Sequence, residues 1–199
     1  MIEFSDEEKS IMAACIAAGH KSWTNDDLVD IKTKIKDWLC IKQKHVCCYC
    51  SRNIYGEFKM VIDIEHVLPK SKYLSYMFTM DNLAVSCKRC NMNIKGERVD
   101  FISFGADISL HPFNSSNYLF IHPNTDNYYD HIDYFFIQSN AQIKVFYSIK
   151  NKSAKGKYTY DFFKLERLVL DSFDEAQGLI SENENNPVDF LDEIKRLEE

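Results

Sequence analysis

The chain has 199 residues, of which 45% are hydrophobic and 27% are charged. This size and composition are typical of a globular protein with one substantial core, and they leave little room for two large independent domains. No run approaches the roughly 20 apolar residues that a membrane-spanning helix needs, and the acidic start "MIEFSDEEKS" has the wrong charge for a signal peptide. The sequence therefore predicts a cytoplasmic protein with no membrane segment.

The net charge of -6 is distributed unevenly along the chain. Residues 43–98 contain nine Lys/Arg and five Asp/Glu, whereas the remainder of the chain contains 15 and 25. The acidic residues are concentrated at the end, where 171–199 contain ten Asp/Glu and two Lys/Arg. A basic middle segment is compatible with a nucleic-acid partner even though the whole chain is acidic.

Two helices are predicted at the start of the chain, and together they form a helical lead-in over 1–45. Ser5 and Glu8 have the spacing of a capping box, and Gly19 ends the apolar stretch that follows them. Thr24 and Asp27 have the spacing of a second helix start. Apolar residues then recur at helical spacing at Leu28, Ile31, Ile35 and Leu39.

From about residue 46 the pattern changes to short β segments, which are "VCCYC", "KMVIDIEHVL" and "NLAVSC". A short helix that begins near Cys90 and carries Asn91 and Lys95 is predicted next. These elements form a predicted core over 46–98. The apolar residues recur at helical spacing before this point and form short β segments after it, which indicates an α+β fold.

The accessory region, 99–199, is predicted to combine a hairpin with helices. The aromatic and β-branched run "YDHIDYFFIQSNAQIKVFYSI" reads as two strands that are joined near Ser139 and Asn140. Amphipathic helices are predicted over 159–170 and 188–199, with the polar stretch "SENENNP" as a flexible linker between them.

Four cysteines form two C-x-x-C pairs that are separated by 36 residues. Each pair can offer two thiolates to one ion, which suits a tetrahedral structural zinc. The separation exceeds that of an ordinary zinc ribbon, so a small structure must lie between the pairs. The predicted ligands are Cys47, Cys50, Cys87 and Cys90.

The other three cysteines do not repeat this spacing. A cytoplasmic chain keeps its thiols reduced, so a disulfide framework is not expected. Burial as free thiols explains Cys15 and Cys40. Cys48 remains an alternative zinc ligand.

Polar residues lie between the cysteine pairs and directly after them at a characteristic spacing. In "DIEHVLPKSKY", Glu65 stands beside His66. Asn82, in "DNL", lies sixteen residues after His66, and Asn91 directly follows the second pair in "CKRCNMNIKG". This pattern resembles the HNH endonuclease superfamily, whose ββα-metal motif is often braced by paired zinc knuckles. The resemblance covers about 47–96 and implies a zinc-braced ββα-metal core.

The resemblance also implies a role for each of these residues. His66 would be the general base that takes a proton from the attacking water, and Asn82 would hold the loop that orients it. Glu65 and Asn91 would bind the catalytic divalent ion. Oxygen ligands suit Mg²⁺ or Mn²⁺ better than zinc. Asp63, on the same strand face as Glu65, is an alternative or outer-shell metal group.

Adjacent residues on a regular strand face opposite ways, so Glu65 and His66 can reach one site only if the strand distorts or ends there. Pro69 favours an end of the strand near these residues, because proline has no backbone N–H to donate to a neighbouring strand. Basic residues around these positions are candidates for phosphate contacts. They are Lys70, Lys72, Lys88, Arg89, Lys95 and Arg98.

The order of motifs is also similar to the stand-alone HNH nucleases of bacterial anti-phage systems, the Septu type being the nearest. That resemblance implies a defence nuclease that cleaves DNA and works with a protein partner such as an ATPase encoded nearby. Two alternatives stay open. One is a zinc-ribbon module that binds nucleic acid or protein without cleaving it, and the other is an RNA-cleaving HNH nuclease.

Overall fold

The structure is a computed structural model, and it describes residues 2–172. Helix α1, Asp6–Ala18, begins at the predicted cap: the Ser5 side chain accepts from the Glu8 backbone, and the Glu8 side chain accepts from the Ser5 backbone. Gly19 ends the helix with a positive φ of 92°, which glycine adopts without a steric cost. The first predicted helix is therefore confirmed at both ends.

Helix α2 spans Val29–Lys42 and buries Ile31, Ile35 and Leu39, as the helical spacing predicted. Its predicted start at Thr24 is wrong. Short 3₁₀ turns precede the helix, and the Thr24 hydroxyl donates to the Lys21 carbonyl rather than accepting from a following amide. Leu28 occupies the N-cap position of α2, and no side chain makes a capping hydrogen bond there.

Two antiparallel strands and a short helix follow. Strand β1, Ile62–His66, pairs with β2, Leu83–Cys87, and a π-helix, Arg89–Lys95, comes next. The stretch "VCCYC" was predicted to be a strand, but only Val46 makes a β-bridge and the cysteines lie in turns. The turn conformation is what lets a C-x-x-C pair present both of its thiols to one side.

The helix after β2 is wound more widely than an α-helix. The Gly96 amide donates to the Asn91 carbonyl at 2.6 Å, which is an i to i+5 bond. Gly96 then ends the helix with a φ of 49°. Asn91 and Lys95, four residues apart, lie on the same face of the helix, and both contact side chains of β1.

The accessory region contains a three-stranded sheet in the order β3-β4-β5. Its strands are β3, Ile132–Ser139, β4, Gln142–Ile149, and β5, Leu170–Asp171. The first two form the predicted hairpin. Helix α3, Ala154–Phe162, ends before the predicted range does, because Lys164 adopts a left-handed conformation and the chain then enters a 3₁₀ turn and β5.

Short 3₁₀ turns connect these elements. They are His20–Thr24, Asp26–Leu28, Lys59–Val61, Leu74–Tyr76, Met80–Asn82, Ser115–Asn117, Tyr128–Asp130, Lys150–Lys152 and Leu165–Leu168. The linker "SENENNP" and the predicted helix over 188–199 lie outside the described residues. Within residues 2–172, no helix has both the length and the apolar character needed to cross a membrane.

Two hydrophobic clusters hold the elements together. One packs α1 and α2 against one face of β1 and β2. The other joins both cysteine pairs to the accessory region and includes Tyr49, Phe101 and Phe163. The α+β class is confirmed. Each cluster contains residues from more than one of the predicted segments, which are 1–45, 46–98 and 99–199. The lead-in and the accessory region therefore pack directly against the core.

Candidate active site

The four cysteines of the two C-x-x-C pairs lie together in the structure. Their sulfur atoms are all within 4.8 Å of one another, and all four residues are buried. The Sγ atoms of Cys50 and Cys87 are 3.9 Å apart. Zn–S bonds of about 2.3 Å in a tetrahedron require sulfur atoms about 3.8 Å apart. The cluster therefore fits a structural zinc ion.

Local hydrogen bonds shape the two cysteine turns. The Cys47 amide donates to the Arg52 carbonyl at 2.9 Å, and the Ser51 amide donates to the Cys47 carbonyl at 2.9 Å. The Cys87 amide, at the end of β2, donates to the Cys47 sulfur at 3.3 Å. A donor directed at sulfur stabilises the thiolate that zinc requires. Cys48 lies outside the four-sulfur cluster, so the geometry does not select it as a ligand.

Tyrosines of the accessory region cover this cluster. The Tyr147 hydroxyl donates to the Cys50 carbonyl at 2.8 Å. The Tyr128 hydroxyl is buried and has no hydrogen-bond partner among the described residues. Burial first, and then the charge of nearby thiolates such as Cys50, raises the pKa of Tyr128.

One face of β1 is directed at the π-helix and carries the acidic residues. Asp63 and Glu65 lie two residues apart on this face, and each meets a side chain of the helix. The Asn91 amide donates to an Asp63 oxygen at 3.1 Å. The Lys95 ammonium lies 2.6 Å from Oε1 of Glu65. The helix therefore closes over both carboxylates.

Glu65 is almost fully buried, with 1% of its surface exposed. Besides Lys95, the Tyr49 hydroxyl contacts the carboxylate and donates to Oε1 at 3.0 Å. Burial raises the pKa of Glu65, and the charge of Lys95 opposes that shift. An unpaired charge would be costly at this position, so the two donors are what allow a carboxylate to remain there.

His66 faces the opposite side of the hairpin, toward the lead-in. The edge of the Trp23 ring packs against the imidazole with ring centroids 4.5 Å apart. The Nε2 atom lies 3.0 Å from the Met77 carbonyl, which can only accept, so Nε2 carries the proton and Nδ1 keeps a lone pair. Burial, and then the charge of Lys70, lowers the pKa of His66 to about 3. The imidazole is therefore neutral at neutral pH.

Asn82 is fully buried and fastens the segment that follows His66. Its side-chain amide donates to the carbonyls of Leu68 and Tyr76, both at 3.1 Å, and its oxygen accepts from the Leu68 amide at 2.7 Å. These hydrogen bonds join Leu68, in the segment after His66, to the turn at Tyr76.

A cleft of about 280 Å³ lies where β1 ends. Glu65, His66, Lys70 and Asn91 all line it. Although Glu65 and His66 face opposite sides of the strand, β1 ends at His66 and both residues border the opening. Pro69, three residues after the strand end, lines the same opening.

The predicted phosphate contacts fall into two groups. Lys72 and Lys88 are exposed and Lys70 is partly exposed. The Lys88 ammonium lies 3.7 Å from an Asp63 oxygen, and the Lys70 ammonium lies over the Trp23 ring. The Arg89 guanidinium donates to the Lys164 carbonyl at 2.7 Å, and Arg98 is paired with Asp100.

Lys95 differs from these surface cations because it is 1% exposed. Its ammonium group is paired with Glu65, and it also donates to the His66 carbonyl at 2.8 Å. This corrects the expectation of a phosphate contact at Lys95. The residue is an interior counter-charge of the site.

The residues for a catalytic divalent ion are fewer than those for zinc. Among residues 2–172, the four cysteines form the one cluster of three or more His, Cys, Asp or Glu side chains that could share an ion. Glu65 and Asn91 supply one carboxylate and one amide oxygen beside the cleft, with Asp63 in contact with Asn91. Carboxylate and amide oxygens are the class of ligand that Mg²⁺ accepts in proteins.

Sequence reasoning missed Trp23 and Tyr49. Trp23 belongs to the predicted lead-in, far from the motif in sequence, and nothing in its surroundings indicates contact with His66. Tyr49 lies between two zinc-ligand candidates, a signal that could have marked it as a residue held in a fixed place. Their roles become visible only in the structure, where Trp23 contacts His66 and Tyr49 contacts Glu65.

Comparison with known proteins gives one informative similarity. The chain is 29% identical over 163 residues to the Septu protein PtuB of Bacillus thuringiensis, and the match covers 82% of this chain. It covers 50% of that protein, so the chain spans half the length of the relative. No protein-family model matches the sequence.

The cysteine geometry predicts one tightly bound zinc per chain. Cys87→Ser should lose zinc and unfold the core, because structural zinc contributes about 10 to 16 kcal/mol in small sites. Elemental analysis of the purified protein, together with circular dichroism, measures both effects.

The matched control is Cys48→Ser, which changes a neighbouring thiol outside the cluster and should keep zinc and fold. Parent zinc content in the Cys87→Ser variant, or a zinc loss of equal size in Cys48→Ser, would contradict the assigned ligand set.

Proposed function

We propose that this chain is a metal-dependent endonuclease of the HNH type that hydrolyses DNA phosphodiester bonds. The observation that carries the proposal is the cleft at the end of β1, which Glu65, His66 and Asn91 all border. The order of two antiparallel strands and a short helix, with a zinc-fitting cluster beside them, agrees with the ββα-metal arrangement that the motif implies.

In this proposal His66 acts as the general base. Its Nε2–H is held by the Met77 carbonyl, which leaves Nδ1 to accept a proton from the attacking water. A histidine whose pKa is about 3 is a weak base. An anionic phosphodiester beside the ring would favour the imidazolium form and so raise the pKa toward a useful value.

Glu65 and Asn91 would hold a divalent ion, with Asp63 orienting Asn91. When bound, such an ion stabilises negative charge on the phosphoryl and leaving oxygens. Lys70 and Lys72 are placed to attract the phosphate backbone, while Trp23 and Met77 keep the imidazole in one orientation. The chain itself thus supplies the base, the ligands and the binding surface.

The similarity to a Septu protein supports a role in anti-phage defence. We place the chain in a defence system of that type, where the nuclease acts together with a protein partner such as an ATPase. Because the match covers half of the relative, the partner and the substrate are part of the proposal. RNA in place of DNA is a second substrate that the same cleft chemistry would accept.

A zinc-ribbon module that only binds would have no use for the arrangement around His66. A simple binding surface does not require a buried, neutral imidazole with one nitrogen held by a carbonyl and the other left with a lone pair. Nor does it require an asparagine that fastens the following loop through three hydrogen bonds. These features favour catalysis over binding alone.

The first functional prediction concerns the base. His66→Ala should lower the rate of plasmid cleavage in Mg²⁺ or Mn²⁺ by about 10²- to 10⁴-fold, since a base acts in the chemical step. Zinc content and DNA binding should stay close to those of the parent. His111→Ala, which changes an exposed histidine, is the control. If His66→Ala cleaves at the parent rate, His66 is not the general base.

The second functional prediction concerns the divalent ion. Asn91→Ala should raise the Mn²⁺ concentration needed for half-maximal cleavage by about 10-fold or more, because it removes one metal ligand. Glu65→Gln should do the same and also lower the thermal midpoint, since Lys95 loses its buried counter-charge.

Asn93→Ala serves as the control for this pair, because Asn93 is exposed on the same π-helix. The assigned ligands are wrong if the Asn91 and Asn93 variants respond to Mn²⁺ alike.

A third prediction follows from the charge distribution. Phosphate contacts weaken steeply as salt rises, and the excess of four positive charges over 43–98 is small beside the acidic remainder. The isolated chain should therefore cleave poorly near 0.15 M salt, about physiological ionic strength. Addition of the protein encoded beside it should restore cleavage.

The measurement compares the isolated chain, the chain with its genomic neighbour, and a version that ends near residue 181. The truncation tests whether the acidic C-terminal segment weakens DNA binding or recruits the neighbour. Full activity of the isolated chain, unchanged by neighbour or truncation, would remove the case for a required partner.

A further inference from the structure

Tyr49 is a fully buried residue between two of the zinc-fitting cysteines. Its ring stacks on Phe163 with centroids 4.1 Å apart, and Phe120 packs against it edge-on. Its hydroxyl points away from these rings and donates to Oε1 of Glu65 at 3.0 Å. A tyrosine held on its faces by aromatic packing and at its tip by a carboxylate has little freedom to move.

The backbone around Tyr49 is held as firmly as the ring. Cys47 and Cys50, on either side, both belong to the four-sulfur cluster. The Cys48 amide donates to the Val85 carbonyl of β2 at 3.1 Å. The cysteine turn therefore places the Tyr49 hydroxyl at a fixed position relative to the strands.

Both polar contacts of the Glu65 carboxylate described above are to the same oxygen. Tyr49 donates to Oε1, and the Lys95 ammonium lies 2.6 Å from that atom. Lys95 in turn binds the His66 carbonyl, so its own position is tied to the end of β1. With Oε1 held by two donors, Oε2 is the oxygen that is left to bind a ligand in the cleft.

We propose that Tyr49 is a positioning residue that orients the Glu65 carboxylate toward a divalent cation in the cleft, and so links the zinc-fitting cluster to the site of cleavage. This inference rests on the proposed function, because it takes Glu65 to be a metal ligand. A glutamate side chain rotates about three bonds. A carboxylate that nothing holds in place would lose conformational entropy when it binds the ion, and this loss would weaken binding.

The size of the expected effect follows from other metal sites. Partners that orient a metal ligand typically change metal affinity by about 10- to 100-fold when they are removed. Tyr49→Phe removes one hydroxyl and keeps the stacked ring, so about 10-fold weaker Mn²⁺ binding is expected. The same variant should need more Mn²⁺ for cleavage but reach the parent rate when Mn²⁺ is saturating.

The experiment measures Mn²⁺ binding to the full chain by electron paramagnetic resonance, without DNA, and cleavage over a range of Mn²⁺ concentrations. Zinc content and the thermal midpoint are measured alongside and should stay near those of the parent. Recovery of cleavage by excess Mn²⁺ separates ligand positioning from a merely structural role, because excess metal does not repair a damaged core.

Tyr118→Phe is the matched control. Tyr118 is also buried, and its hydroxyl donates to the Pro112 carbonyl, away from Glu65. This variant should bind Mn²⁺ like the parent. Equal Mn²⁺ affinity in the parent and Tyr49→Phe would overturn the inference, and so would equal losses in both tyrosine variants.

These outcomes are separate from a failure of the proposed function. A parent chain that cleaves and binds Mn²⁺, with a Tyr49→Phe variant that behaves identically, refutes the positioning role alone. A parent chain that neither binds Mn²⁺ nor cleaves nucleic acid refutes the nuclease proposal and this inference together.

Discussion

The four-cysteine cluster is the constraint on which the rest of the site depends. It joins the turn after α2 to the end of β2, although the two lie far apart in sequence. Once these turns meet, β1 is confined between them and the π-helix lies across its acidic face. A core this small, with two short strands, would gain little stability from strand pairing alone. Metal binding is the contribution that this geometry can add.

The ion pair between Glu65 and Lys95 is an unusual feature to place in such a core. Removing two charges from water costs several kcal/mol per ion, and hydrophobic residues in their place are often at least as stable. Stability alone therefore does not explain the pair, whereas the proposed role of Glu65 as an oriented metal ligand would. Tyr49 and the His66 carbonyl supply the additional hydrogen bonds that keep both charges satisfied.

The regions on either side of the motif contribute directly to the site. Trp23 from the lead-in packs on the imidazole of His66, and Phe163 from the accessory region stacks on Tyr49. The two sides of the β1–β2 hairpin are thus covered by different parts of the chain, one beside His66 and one beside Asp63 and Glu65. A fragment limited to 46–98 would expose both hydrophobic faces and lose these contacts.

Local chemistry made part of this structure predictable from the sequence. The capping box at Ser5, the matched C-x-x-C pairs and the alternation in β1 each depend on residues close together in the chain, so their pattern is visible there. Tertiary structure decided which face each side chain meets and whether a charge is buried. Lys95 looked like a surface cation because sequence spacing does not reveal burial, and Trp23 carried no signal because its partner lies 43 positions away. The sequence therefore determined the candidate ligands and base, whereas packing determined which of their atoms remain available for chemistry.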